Sequence, residues 1–210
     1  AIVHYALRLK DRAEARTEEL LRNILPDTIA ERLKADPTAN IAEHYPEATV
    51  MFADTVGFTS LSQEMGPERT VDLLNEVFTA FDELAAQHGL EKIKTVGDAY
   101  MVVSGAPEPC ENHAERVAAM ALGLRQAVGR IAARHGVPLE LRIGIASGPL
   151  VGGVIGRQKL VFDVWGDTVN LAARLQSNSE PGKIHISEQV ARTLGAGFLI
   201  APRGVLDIKG

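Results

Sequence analysis

Two aspartates at the ends of strand-like runs are the residues in this chain best suited to chemistry. Asp54 closes the apolar run that starts at Ala48, and Asp98 closes Lys94-Thr95-Val96-Gly97-Asp98. Carboxylates at strand ends beside glycines are well placed to hold hard divalent cations near a phosphate. The segment after Asp54, Thr55-Val56-Gly57-Phe58-Thr59, reads as a turn opening a helix, where backbone N–H groups can cradle a phosphate. The same aspartates also suit ordinary turns, so their surroundings must decide between the two readings.

Other polar residues sit at suggestive spacings. Lys94 lies four residues before Asp98. Strand alternation predicts that Lys92 and Lys94 share one face, with Lys92 a solvated charge and Lys94 either a ligand contact or a second surface lysine. Asp163 alternates with Phe162 and Val164 and is expected to leave the core for a pocket. Asn170 and Arg174 are four apart in a predicted helix and so share a face. An amide and a guanidinium stacked there suit a sugar and a phosphate, although an exposed helix face would look the same.

These side chains must be positioned by a recognisable order of elements. Residues 1–35 read as helix, with alternating charges and an apolar stripe too interrupted at Arg16 for a clean coiled coil. The stretch from Pro37 to Pro46 reads as a linker. A strand to Asp54 follows, and after it the turn and a helix. A second helix carries the apolar stripe Val71, Leu74, Val77, Phe78, Phe81, Leu84 and Ala85. A hairpin turns at Gly97-Asp98, and a long helix ends at Gly136. The strand from Leu139 to Ser147 is expected to turn at Gly148-Pro149. Gly152 to Lys159 forms a hairpin-like arm, Asp167 caps a helix to Gln176, and strand-like pieces recur near Phe198 and Val205. The order β-α-α-β-β-α-β is that of an α+β, ferredoxin-like (split βαβ) domain. It occupies residues 46–210, behind a helical, conditionally coiled-coil segment and linker over residues 1–45.

Composition narrows the function classes. The net charge of −5 argues against a nucleic-acid binder, which needs a basic face. A ferredoxin-like RNA-binding sheet would also need strand aromatics for stacking beside a basic face, a combination this chain does not offer. The single cysteine, Cys110, permits no internal disulfide and fits a reducing compartment. The six histidines have no zinc-site spacing. No apolar run approaches the roughly 20 residues of a membrane span. The abrupt start at Ala1 within a charged helical pattern leaves room for an upstream sensory or membrane module.

The runs MFADTVGFTSL, KIKTVGDAYM and FDVWGDTVNLAARL, in this order, resemble the catalytic domain of class III nucleotidyl cyclases, over about residues 47–210. The likeness is to the mycobacterial and mammalian-like adenylyl cyclase subgroup, and the preceding helix resembles its transducer segment. The resemblance implies conversion of ATP to 3′,5′-cyclic AMP and pyrophosphate with two Mg²⁺ or Mn²⁺ ions per active site. It assigns Asp54, Asp98 and the Thr55 carbonyl to the metals. Lys94 and Asp163 read adenine, Asn170 orients the ribose, and Arg174 stabilises transition-state charge. Lys209 matches a lysine that contacts the terminal phosphates, and the turn Val56, Gly57, Phe58 and Thr59, read above as a phosphate cradle, would bind substrate beside these residues. It further implies a head-to-tail homodimer in which one chain supplies the metal aspartates and its partner supplies Lys94, Asp163, Asn170 and Arg174. A cytoplasmic domain, whose parent protein could be anchored at the inner membrane face, is the expected setting. Guanylyl cyclase is the alternative within enzymes, and a non-catalytic nucleotide-binding regulatory dimer the alternative outside them.

Overall fold

The computed structural model describes Arg16, residues 24–156 and residues 159–205. Most of the helical segment read over residues 1–35, the tip of the arm at 157–158, the final strand piece at 206–208 and Lys209 lie outside the described residues.

A sheet of six strands forms the middle layer. Its strands are β1 (Ala42–Thr55), β2 (Glu91–Val96), β3 (Ala99–Ser104), β4 (Leu141–Ile155), β5 (Val161–Trp165) and β6 (Ile184–Ile186). The spatial order is β2-β3-β1-β4-β5, with β6 running parallel beside β4 and every other pair antiparallel. Strand β3 separates β1 from β2, which is the split βαβ order expected.

Helices cover both faces. On one face lie α3 (Pro67–His88) and α4 (His113–His135). The short helix α2 (Phe58–Met65) leads into α3. The buried stripe of α3 is Leu73, Val77, Phe81 and Ala85, four residues apart throughout, against Tyr100, Val102, Met51 and Ile145 of the sheet. Val71, expected in that stripe, is instead exposed, because it lies two residues, about 200° of helix, from Leu73, which sets the burying face. The other face is covered by α1 (Asp27–Ala35) and α5 (Asp167–Ser177). Leu25, Ile29 and Leu33, with Ala172 and Leu175, pack there on Val50, Met101, Phe162 and Val164. The last helix, α6 (Glu188–Thr193), is capped by Ser187, whose side chain accepts from the Val190 amide.

Four local expectations are corrected. The linker ending at Pro46 contains strand from Ala42, which pairs with β4 across an irregularity between Tyr45 and Ala48 that accommodates the proline. Gly148-Pro149 does not turn the chain, since β4 runs through it to Ile155 because β1 and then β5 continue to pair with it. Asp167 does not cap α5. Gly166 is its N-cap at φ 137°, and Asp167 is its first residue. No strand forms near Phe198 among the described residues.

Candidate active site

The register of β1 and β3 brings the two aspartates together. Asp54 is near the end of β1, and Asp98 occupies the β2–β3 turn, which Gly97 makes possible at φ 62°. The Thr55 hydroxyl donates to Asp98 Oδ2 at 2.5 Å, tying the two strand ends. The half-buried Asp54 carboxyl is held above its ordinary value, first by burial and then by the negative charge of Asp98. Two opposing influences favour its charged form: the Arg142 guanidinium, and a hydrogen bond from Gln176 Nε2 to Asp54 Oδ2 at 3.2 Å. Two carboxylates that repel each other in a partly desolvated corner are a pair that a divalent cation would relieve. With hydroxyl and carbonyl oxygens from Thr55, the donor set is hard and small, which suits Mg²⁺ or Mn²⁺ completing their shells with water and phosphate. No cluster of three or more His, Cys, Asp or Glu fit to cage a metal occurs among the described residues.

The following turn is built for close approach. Gly57 takes φ 71° and stands as the N-cap of α2, and no side chain caps that end. Phe58 is buried and anchors the turn, while Gly57 and Thr59 are exposed and Val56 is half-buried. Backbone N–H groups at the start of α2 therefore point outward beside the carboxylate pair.

Lys94 and Asp163 meet although their strands lie at opposite ends of the sheet. Lys94 Nζ donates to Asp163 Oδ2 at 2.5 Å, and Asp163 Oδ1 accepts from the Val164 amide at 2.9 Å. Asp163 is only 7% exposed, so its carboxylate lies sheltered beside Lys94 and not in open solvent. The prediction that Lys92 and Lys94 share a face is corrected. A bulge shifts the register, so Lys92 pairs with Val102 and Lys94 with the adjacent Met101. Adjacent β3 residues face opposite sides of the sheet, and the two lysines part. Lys92 goes to Asp82 and the face of Tyr100, and Lys94 goes to Asp163.

Asn170 and Arg174 stand one turn apart on α5, Asn170 exposed and Arg174 half-buried. Gln176 is two residues beyond Arg174, about 200° around the helix. Since Gln176 touches Asp54, the Asn170–Arg174 face of α5 is turned away from the carboxylate pair of its own chain.

Known proteins resemble this chain in sequence and fold. The family described as the adenylate and guanylate cyclase catalytic domain matches residues 41–210. The chain belongs to that family. An adenylate cyclase of Mycobacterium tuberculosis is 44% identical over the whole chain, which spans 49% of that protein. Retinal guanylyl cyclase 2 of Bos taurus is 40% identical over 98% of the chain, which covers 20% of that protein. The crystal structure of the guanylate cyclase domain of RhGC from Catenaria anguillulae, in complex with GTP, superposes with a TM-score of 0.76. It is 34% identical to this chain, and the alignment covers 80% of the chain and 92% of that one.

Two residues of this cyclase domain's site escape a reading of the sequence. Arg142 looks like an ordinary outward residue of an alternating strand, yet the register sets it opposite Asp54. Its Nε is buried without a hydrogen-bond partner among the described residues. Gln176 reads as the frayed end of a helix, yet its amide reaches Asp54 across 122 positions of sequence. Neither contact has a local signal, because both are made by the pairing of β1 with β4 and the packing of α5 on them.

Proposed function

We propose that this cyclase domain is an adenylyl cyclase, converting ATP to 3′,5′-cyclic AMP and pyrophosphate in a head-to-tail homodimer. The observation that carries the choice of base is the Lys94–Asp163 pair. An ammonium beside a carboxylate offers a donor to N1 of adenine and an acceptor to its 6-amino group, whereas guanine presents the opposite pattern on that edge. Asp163 Oδ1 is held by the Val164 amide, so the oxygen that meets Lys94 has a fixed direction.

Asp54, Asp98 and Thr55 would hold the divalent cations. Bound there, Mg²⁺ or Mn²⁺ would make the ribose 3′-hydroxyl more acidic and neutralise phosphate charge. The N–H groups of Gly57, Phe58 and Thr59 would bind phosphate oxygens, whereas that of Val56 is committed to the Glu140 carbonyl at 2.9 Å. Asn170 would orient the ribose. Arg174 would stabilise the charge that develops as the 3′-oxygen attacks the α-phosphorus in line and pyrophosphate leaves. The chain supplies no covalent nucleophile; its work is positioning and charge stabilisation. Lys209 would add a terminal-phosphate contact.

Dimerisation is supported by two features. The Asn170–Arg174 face of α5 is directed away from the aspartates of its own chain, so each needs the complement of another copy. A stripe of apolar side chains also lies bare on the β4–β5 arm. Val151 pairs with Trp165 and Ile155 with Val161, so all four share one face, and all are exposed. Such a patch on an otherwise charged surface fits an isologous interface. No helix among the described residues is long and apolar enough to cross a membrane. A cytoplasmic setting, with a sensory or membrane module upstream in the parent, fits this reading. The test is turnover of ATP and GTP by the purified chain with Mg²⁺ and Mn²⁺. Cyclic AMP formation that is lost in Asp54→Ala is expected, and a preference for GTP would overturn the adenine assignment.

A further inference from the structure

We infer that Gln176 is a positioning residue that fixes the Asp54 carboxylate and mechanically links it to the helix presenting Asn170 and Arg174. The inference rests on the cyclase reading above for the roles of Asp54 and Arg174, and on two independent contacts for the link itself.

The first contact is the hydrogen bond from Gln176 Nε2 to Asp54 Oδ2 at 3.2 Å. It leaves Oδ1 of the same carboxylate for a cation and sets the carboxylate's rotation. The second is the seat of α5. Gly144 of β4 lies directly under that helix. A Cβ there would stand 2.1 Å from the Gln176 amide nitrogen and 2.3 Å from the Ala172 carbonyl oxygen. Both are backbone atoms, so only glycine permits this approach. Ala172 is fully buried at the same junction. The helix is therefore seated on β4 at the turn that carries Gln176, and it cannot move there without moving the amide that holds Asp54. Phe52, two residues before Asp54, pairs with Gly144 across β1 and β4, so the seat and the carboxylate share one strand pair.

In a head-to-tail dimer, Asp54 serves one composite site and the opposite face of α5 serves the other. Gln176 then joins the metal half of one site to the transition-state half of its neighbour. Cation loading at Asp54 should order α5, and loosening Gln176 should disturb both halves.

The test uses the full chain with Mn²⁺ alone and then with ATP. Gln176→Met keeps length and helix preference but removes the donor. Gln176→Asn keeps an amide one carbon too short. With melting temperatures near wild type, both variants should bind Mn²⁺ about three- to tenfold more weakly in an electron paramagnetic resonance titration, the size expected for one ordinary hydrogen bond. In hydrogen exchange, Mn²⁺ should slow amides 170–177 in the wild-type chain but not in the variants. In turnover, the activation constant for Mn²⁺ should rise and kcat should fall, with KM for ATP little changed. Should Gln176→Met fail to fold, Gln176→Asn carries the same readouts. Wild-type Mn²⁺ affinity in a folded variant would overturn the inference, as would α5 exchange indifferent to Mn²⁺ in the wild type. An intact Mn²⁺ link to α5 in a chain that makes no cyclic nucleotide would instead leave Gln176 in place and overturn the proposed activity.

Discussion

Lys94 and Asp163 carry different burdens within one ion pair. Lys94 keeps 39% of its side-chain surface in solvent, whereas Asp163 keeps 10%. Removing the lysine therefore strands a buried carboxylate, while removing the aspartate merely frees an ammonium. Lys94→Ala should cost about 1–2 kcal/mol in stability, reduced from a fully buried pair by the lysine's exposure. It should also lower the ratio of ATP to GTP kcat/KM by about tenfold or more, since the donor to N1 is lost. Competitive turnover with both nucleotides checks this, and an unchanged ratio would remove Lys94 from base selection. Arg174→Ala should lower kcat about 10²-fold, as for other groups that meet charge developing in the transition state. At this scale the sequence was a good guide to identity and a poor guide to surroundings. Asp54 and Asp98 stand out as strand-end carboxylates, whereas alternation left Lys94 open between ligand contact and surface charge. Only the resemblance paired Lys94 with Asp163, because their meeting depends on a bulge within β2 and on a sheet whose two ends approach.

The elements explain why such contacts stay hidden, and they make predictions of their own. Helix boundaries followed local signals closely: Gly66-Pro67 opens α3, and Gly89 and Gly136 end α3 and α4 at φ 64°. Strands did not, since β4 passes through Gly148-Pro149 and β1 begins within a stretch that reads as linker. Partner strands, rather than local residue types, decide where a strand stops. Glu91, at the start of β2, shows a further effect of packing. Burial, then Asp27 on α1, then Glu108 in the loop before α4 push its carboxyl from 4.5 up to about 7. Because the folded-state value is the higher one, ionising Glu91 destabilises the folded form. The penalty is absent below about pH 4.5, grows as pH rises, and is complete above about pH 7. Glu91→Gln should therefore raise the melting temperature by a few degrees at pH 8 and by nearly nothing at pH 4.5. A gain of equal size at both pH values would show that charge is not the cause. Gly144→Ala tests the seat of α5. The methyl group must displace backbone, so a loss of about 3 kcal/mol or more is expected, above the usual range for one added methyl group. Chemical denaturation measures it, and a loss under about 1 kcal/mol would mean that α5 can move freely on β4.

For the whole molecule, the decisive question is whether one chain suffices. The two halves of the proposed site sit on different faces of one protomer, and an apolar stripe lies bare along the β4–β5 arm. A chain lacking Asp54 and a chain lacking Arg174 should each be inactive as homodimers. In a mixed dimer, the Asp54→Ala chain still presents Arg174 and the Arg174→Ala chain still presents Asp54, so one of the two composite sites is complete. The other site lacks both residues. Equal mixing with free exchange makes half of the dimers mixed, each with one working site of two, so activity should recover to roughly a quarter of wild type per chain. A self-sufficient protomer predicts no recovery, because neither mutant chain would hold a complete set. Specific activity should also fall on dilution below the dimer dissociation constant, and Trp165→Glu on the bare stripe should move that fall to higher protein concentration. Recovery on mixing, together with that shift, would place the site between chains and not within one. Recovery without the shift would place the contact on a face other than the arm.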